Sequence, residues 1–429
     1  MRENSFKKAL VMLGVGVVFL FFKDVNANDL DISKSSPAGV SATITIAASN
    51  SLPKSKVRAD YVCDGVDDHV EIQAAIDNLP ETKENIGGGS IQLLEGTFNI
   101  GGTINFYDKA VSLLGTGRYS TALMFQKGVN DDMIVIGTGE KHGMPPGRLA
   151  HLTLNGNSRF QTKGSALWMK SGDMMVIEDV RIYDFKEHGV LLRGVSPGVK
   201  PSVGSIENCR IEYNKKNGIY IGPGSEGWII RGNWIGDNGT LGEPFHGIFI
   251  QAIHGVPAEA KQPGGASNAH IIANNLIWQN ECTQICIDGG GHGGAHIVIA
   301  DNVILSSPYE NIKIYDGTHL VTITGNNIMS ASESGIGAAP HITLSNAHYV
   351  VISNNAFASP SRGLASAAMI KAGSKAGEVP IPAPTAILIE EKGSDYNKFI
   401  GNVIHGDVTK VILVGAHSYT DSREEQDKK

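Results

Sequence analysis

One short phrase recurs through most of the chain. Its versions are Ser205-Ile-Glu-Asn-Cys-Arg-Ile211, Ile229-Ile-Arg-Gly-Asn-Trp-Ile235, Ile271-Ile-Ala-Asn-Asn-Leu-Ile277, Val298-Ile-Ala-Asp-Asn-Val-Ile304, Thr322-Ile-Thr-Gly-Asn-Asn-Ile328, Val351-Ile-Ser-Asn-Asn-Ala-Phe357 and Lys398-Phe-Ile-Gly-Asn-Val-Ile404. Two earlier cousins close at Leu154 and Ile182, and the closing residues follow one another at intervals of 24 to 47 residues. A repeat of that length fixes the architecture before any single residue is interpreted.

A second phrase follows each first one: Gly189-Val-Leu-Leu, Gly218-Ile-Tyr-Ile, Gly247-Ile-Phe-Ile, Gln284-Ile-Cys-Ile, Asn311-Ile-Lys-Ile, His341-Ile-Thr-Leu and Ala386-Ile-Leu-Ile. Apolar residues alternate with a middle residue, the period of a β-strand. A strand, an Asn or Asp corner, a second strand, a looser turn and a Gly-led third strand make one coil of ~25 residues. Asn and Asp suit the corner because they tolerate left-handed backbone angles and bond their own main chain. Stacked coils bury one apolar column and pair their strands in parallel. The pattern predicts an all-β chain, a right-handed parallel β-helix (a solenoid) of about 10–11 coils. A β-propeller would need blades of ~40–50 residues.

Residues 1–27 read as a secretion signal: Arg2, Lys7 and Lys8 precede the apolar run Ala9–Phe22, and Val25-Asn-Ala27 supplies a cleavage site. Residues 28–57 read as a linker, 58–417 as one β-helix domain, and 418–429 as a solvated tail. Localisation is therefore expected to be secreted, extracellular or periplasmic, with no membrane association after cleavage. The net charge of −7 argues against a nucleic-acid partner held by overall positive charge. Cys63, Cys209, Cys282 and Cys286 have no zinc-site spacing, so no structural metal is assigned. Cys282 and Cys286 can bridge a turn to a strand or stay free.

A helix is expected over 66–79, capped by Asp67 or Asp68, with Ile72, Ile76 and Leu79 as its buried stripe. The run Asp64-Gly-Val-Asp-Asp68, the helix Ile72-Gln-Ala-Ala-Ile-Asp77, the loop Gly87-Gly-Gly89 and the strand closing on Gly96-Thr-Phe98 resemble the beginning of pectate-lyase-like right-handed β-helix proteins. The resemblance covers residues 58 to about 415 and implies that the helix plugs the open end of the solenoid. It implies a glycan-directed activity without choosing one, since lyases, glycoside hydrolases, uronate epimerases, inulin fructotransferases and phage tailspikes share this beginning. The acidic motifs of polygalacturonases and the Tyr-Gly-x-Asp-Pro-His-Glu signature of alginate epimerases are absent, although Gly291-His-Gly293 echoes one fragment of the former.

In such folds substrates lie along the outside of the Gly-led strands. The middle outward column is expected to be Trp168, Leu191, Tyr220, Phe249, Cys286, Lys313, Thr343 and Leu388. The column two residues on is Lys170, Arg193, Gly222, Gln251, Asp288, Tyr315, Ser345 and Glu390, and His188, Asn217, His246, Gln284 and Asn311 sit just before the strands. Trp168, Tyr220 and Phe249 offer a sugar platform with Gln251 as a further binding residue, and Lys170, Arg193, Lys216 and two His offer basic partners for an acidic sugar. Arg181 and Arg210 stack beside Trp234 on the neighbouring strand, which is costly unless an anion or carboxylate lies between them. Long loops at 236–247, 251–269, 330–341 and 358–386 are expected to wall a cleft holding Glu243, His246, Asp288, His292, Lys313 and Tyr315.

The expected activity is β-elimination on an acidic, extracellular polysaccharide. Arg193 or Lys313 neutralises the uronate, His246 or Lys313 is the base, and Tyr315 the acid. Calcium bound by Asp288 and neighbouring carboxylates can replace the neutralising cation; no other cofactor is implied. One alternative is a glycoside hydrolase or fructotransferase on a neutral glycan, using Asp288 with Asp316 or Glu243. Another is a non-catalytic glycan-binding or adhesive surface protein. Neither the sugar nor the oligomeric state is legible.

Overall fold

A computed structural model describes residues 43–80, 87–140, 147–195, 199–252, 267–291, 296–331, 339–359, 386–406 and 410–421. The expected signal (1–27) and most of the expected tail lie outside them, as does His292.

Parallel strands stack into three long sheets. The chain visits them in turn, as in Glu226–Arg231, Trp234–Gly236 and Ile248–Gln251. These begin the same way in each coil and are called here the first, second and third sheets. Among the described residues the second and third each hold 11 strands, which makes eleven coils. The phrase-closing residues Leu154, Ile182, Ile211, Ile235, Ile277, Ile304, Ile328 and Phe357 all have 0% exposure and form one interior column. Each such side chain contributes ~1.5–3 kcal/mol of burial.

The Asn corner divides its work between two residues. Gly232, Asn274, Asp301, Gly325, Asn354 and Gly401 take the left-handed backbone, with φ of 55° to 68°. The next residue is an inward Asn. Asn275 Oδ1 accepts both the main-chain N–H (3.0 Å) and the side-chain amide (2.9 Å) of Asn233. Asn302, Asn326, Asn355 and Asn402 repeat the arrangement coil by coil. Each Nδ2 also caps a main-chain carbonyl, as Asn302 does at Ile272 O, 2.9 Å away. The corner is therefore a buried hydrogen-bonded ladder as well as a turn.

The N-terminal helix runs His69–Asp77 and sends Ile72, Ala75 and Ile76 into the core. Asp68 occupies the N-cap position, but its carboxylate makes no capping bond. It accepts instead from Gly65 N at 2.8 Å and Asn99 N at 2.6 Å, tying the helix to the first complete coil. Gln73 exchanges two bonds with the main chain of Asn105. The region expected as a linker contains structure: strand Thr43–Ala47 pairs with Gly88–Leu93, and a helix spans Pro53–Arg58. At the other end Tyr419–Thr420 pairs with Lys398–Phe399, inside the expected tail.

One strand is shifted from its expected register. Ile342 pairs with Leu388, so Ile389 faces out beside Thr343 while Leu388 points inward. Glu390 consequently turns inward too and is 1% exposed. It accepts from Asn397 Nδ2, Val414 N, Gly415 N and Ser418 Oγ, at 2.6 to 2.9 Å. All four cysteines are free thiols. No helix among the described residues is long and apolar enough to cross a membrane.

Candidate active site

Along the third sheet, Trp168, Leu191, Tyr220, Phe249, Cys286, Lys313 and Thr343 follow one another in register on the outer face. Gln251, Asp288, Tyr315 and Ser345 align two residues on. These residues keep the expected register, but Leu388 and Glu390, expected to end the two columns, point inward. The row before the strands does not keep it. Gly218 N donates to His246 O, and Gly247 N to Thr283 O, so Thr283 and not Gln284 continues the His188, Asn217, His246 row. Ile285 N donates to Asn311 O, which makes Glu310 its next member. Gln284, Asn311 and His341 stand where earlier coils have Gly and are buried, His341 Nδ1 lying 2.8 Å from Asn311 Oδ1.

Among the described residues the wall holds two cavities; most of the loops at 251–269, 330–341 and 358–386, expected to wall one cleft, lie outside those residues. One, of about 560 Å³, is lined by Glu243, His246, Cys286, Glu310, Lys313 and Tyr315 among others. The other, of about 440 Å³, is lined by Asp132, Trp168, Glu187, Arg193, Lys216, Tyr220 and Phe249 among others. Pro244 borders both. Of the expected binding residues, Trp168, Arg193, Tyr220 and Phe249 line the second cavity while Lys170 and Gln251 do not, and the expected catalytic residues, except Asp288, line the first.

In the Lys313 cavity the Lys313 side chain is 39% exposed and its Nζ lies 3.8 Å from Glu310 Oε1. Glu310 also meets Thr343 Oγ1 at 3.4 Å and Thr283 Oγ1 at 3.5 Å. His246 is 6% exposed, packs against the Phe249 ring at 5.0 Å, and its Nδ1 is buried without a hydrogen-bond partner. Burial, reinforced by Lys313, pushes its pKa down to about 3. The ring is therefore neutral at neutral pH. Burial also raises the Tyr315 phenol above its ordinary range, and Cys286 and Asp288 add to the effect. Tyr315 keeps its proton and donates it to Asp288 Oδ2 at 3.2 Å. Asp288 is 3% exposed, and its other oxygen accepts from Gly290 N at 3.0 Å.

The two cavities are joined by hydrogen bonds. Tyr220 donates to Gln251 Oε1 at 2.5 Å, and Gln251 Nε2 to Asp288 Oδ2 at 3.4 Å. Asp288 thus orients Tyr315 and Gln251 and does not itself line the Lys313 cavity. Among the described residues the one group of three carboxylate, His or Cys ligand atoms is Cys63, Asp68 and Glu71, so Asp288 belongs to no such group. In the other cavity Tyr220 stacks with His188 at 5.3 Å and meets Phe249 at 5.6 Å. The Trp168 indole donates to Arg193 O at 2.9 Å, and Lys170 Nζ stands 4.5 Å from its ring centre.

A family model described as a right handed beta helix region matches residues 147–292. The fold of this chain is a right-handed parallel β-helix. The A-module of a mannuronan C-5 epimerase from Azotobacter vinelandii shares 17% identity over 83% of this chain and 95% of its own, with a TM-score of 0.56. A DFA-IIIase from Arthrobacter chlorophenolicus shares 12% over 89% and 99%, with a TM-score of 0.55. An alginate lyase from a Paenibacillus species shares 13% over 89% and 98%, with a TM-score of 0.50. At these identities the likeness is one of fold. No curated protein matches the sequence significantly.

Asp132, Glu187, Glu310 and Glu391 went unread in the sequence as lining residues. Glu310 was legible in principle: it precedes the buried Asn311 as His246 precedes Gly247. Asp132 and Glu187 precede strands of early coils, where the repeat is too degenerate to set a register.

Proposed function

We propose that this is a secreted carbohydrate-active enzyme, a polysaccharide lyase that cleaves an acidic polysaccharide by β-elimination in the Lys313 cavity. One observation carries this reading: Lys313, His246 and Tyr315 line the same cavity, while Arg193 lines the other. Each role then falls to one residue. Lys313 meets the uronate carboxylate, and the charge-assisted contact acidifies the neighbouring C5 proton. His246, neutral and lining the cavity, takes that proton. The electrons form the C4–C5 double bond, the C4–O bond breaks, and Tyr315 protonates the leaving oxygen. Asp288 holds the phenol in place. Trp168, Tyr220, Phe249, Arg193, Lys170 and Gln251 bind the neighbouring sugars. The mannuronan epimerase and the alginate lyase among the similar folds support an acidic glycan as substrate, and the basic, apolar N-terminus supports export.

The protein is offered polygalacturonate, alginate and glycosaminoglycans, and the ultraviolet absorbance of unsaturated uronates is followed. Absorbance rises with the wild type. Lys313→Ala and Tyr315→Phe lower kcat by ~10²–10⁴. No absorbance change on any of these substrates ends the reading.

A further inference from the structure

We propose that the second cavity is itself a catalytic site, a glycoside hydrolase centre in which Asp132 is the general acid and Glu187 the general base. The proposal does not depend on elimination at Lys313, and it uses neither Asp288 nor Glu243.

The argument begins with two adjacent main-chain donors. Gly164 N donates to Glu187 Oε2 at 3.1 Å, and Ser165 N donates to Asp132 Oδ1 at 2.7 Å. Consecutive backbone nitrogens are at most ~3.6 Å apart. The two bonded carboxylate oxygens therefore lie within about 9 Å of each other, no further than an inverting pair tolerates. Both side chains line a cavity of about 440 Å³ whose walls include Trp168, Tyr220 and Phe249. Aromatic rings beside a carboxylate pair suit a sugar bound across the scissile bond. The Arg193 side chain lines the same cavity and is exposed, so a sugar bearing a carboxylate or sulfate is favoured.

The environments of the two acids differ in the sense the chemistry needs. Burial raises Asp132 above the usual carboxylate range, with Asp131 and Glu187 adding to it. Burial also acts to raise Glu187, but Lys216, the Gly164 amide and His188 outweigh it, and Glu187 is held low. Two carboxyls pushed apart in this way divide into acid and base. Glu187 has one oxygen on Lys216 and the other on Gly164, and a remaining lone pair on each can accept a proton from water.

The step balances as a single displacement. Glu187 takes a proton from water, the water oxygen bonds to the anomeric carbon, the glycosidic C–O bond breaks, and Asp132 protonates the departing oxygen. The product is a reducing sugar of inverted configuration, with no double bond.

The test uses the full chain carrying Lys313→Ala, which silences elimination. Polygalacturonate, alginate, hyaluronan, xylan and inulin are the probes, and reducing ends are counted alongside ultraviolet absorbance. Reducing ends without absorbance are expected on at least one probe, and NMR should show the inverted anomer first. Adding Asp132→Asn or Glu187→Gln should lower turnover by ~10²–10⁴ with unchanged melting. Asp132→Asn should also abolish the alkaline limb of the pH profile, a change that a merely structural role would not make. No reducing ends on any probe, a retained anomer, or full activity in either variant overturns the proposal. Absorbance without hydrolysis would overturn it while leaving the lyase reading standing, and hydrolysis without absorbance in the wild type would do the reverse.

Discussion

Glu212 shows how one residue settles the meaning of its neighbours. Arg181 and Arg210 stack on adjacent coils, as the sequence suggested, and such a pair invites a bound anion. The anion is built in: Glu212, 1% exposed, takes Arg181 on Oε1 at 2.6 Å and Arg210 on Oε2 at 2.7 Å. The cluster is a structural network, and Arg210 also lies 4.8 Å from the Trp234 ring centre. Removing Glu212 leaves two adjacent guanidinium groups without their counter-charge. We expect Glu212→Ala to cost about 3 kcal/mol in urea unfolding. A change within about 0.5 kcal/mol, typical of a surface substitution, would contradict the network. The same scale shows what sequence reading loses. Lys313 and Tyr315 were placed by counting in twos along a strand, whereas Glu310 was missed because Asn311 occupies the inward place that Gly holds in earlier coils.

At the scale of elements, the apolar columns were legible because alternation persists through every strand they cross. The final strand of the third sheet was misread by one residue because Ala386, Ile387, Leu388 and Ile389 are all apolar and offer no alternation. The choice is made by Glu390, an inward carboxylate that no pattern of apolar residues announces. Its four donors come from the last coil, so it locks the C-terminal end. Glu390→Gln places an NH₂ against N–H donors, and amide exchange at 411–421 should accelerate while that of 297–305 stays slow. Uniform exchange in both would remove this role. The Asn ladder sets the other element-scale expectation. Asn302→Ala strips partners from Asn275 N, Asn275 Nδ2 and Ile272 O. It should cost about 3 kcal/mol, each orphaned buried group costing ~1–3 kcal/mol. Asn327→Ala, on an exposed outward position, serves as the control.

For the whole molecule, the solenoid turns distant stretches of chain into one wall, which is why the outward columns could be assembled from spacing alone. Spacing along the strands does not show that Pro244, in the turn before Gly247, borders two cavities on that wall. The enclosed interior also has a pH signature. His246, His270 and His341 are buried, and burial holds each near a pKa of about 3, against an ordinary 6.5. The unfolded chain takes up protons below pH 6.5 that the native chain refuses until about 3, so stability falls as pH drops through that window. The melting temperature should already decline between pH 6.5 and ~5, above the range where carboxylates titrate. A flat melt there would contradict the neutral, buried assignment. For the same reason elimination should show no inflection near 6.5 in its pH profile.

The most direct measurement is a crystal structure of the Tyr315→Phe chain with an acidic oligosaccharide of several residues. The account predicts a sugar carboxylate on Lys313, its C5 hydrogen toward His246, and neighbouring rings against Phe249 and Tyr220. An oligosaccharide bound on another sheet, or one with no carboxylate at Lys313, would contradict it.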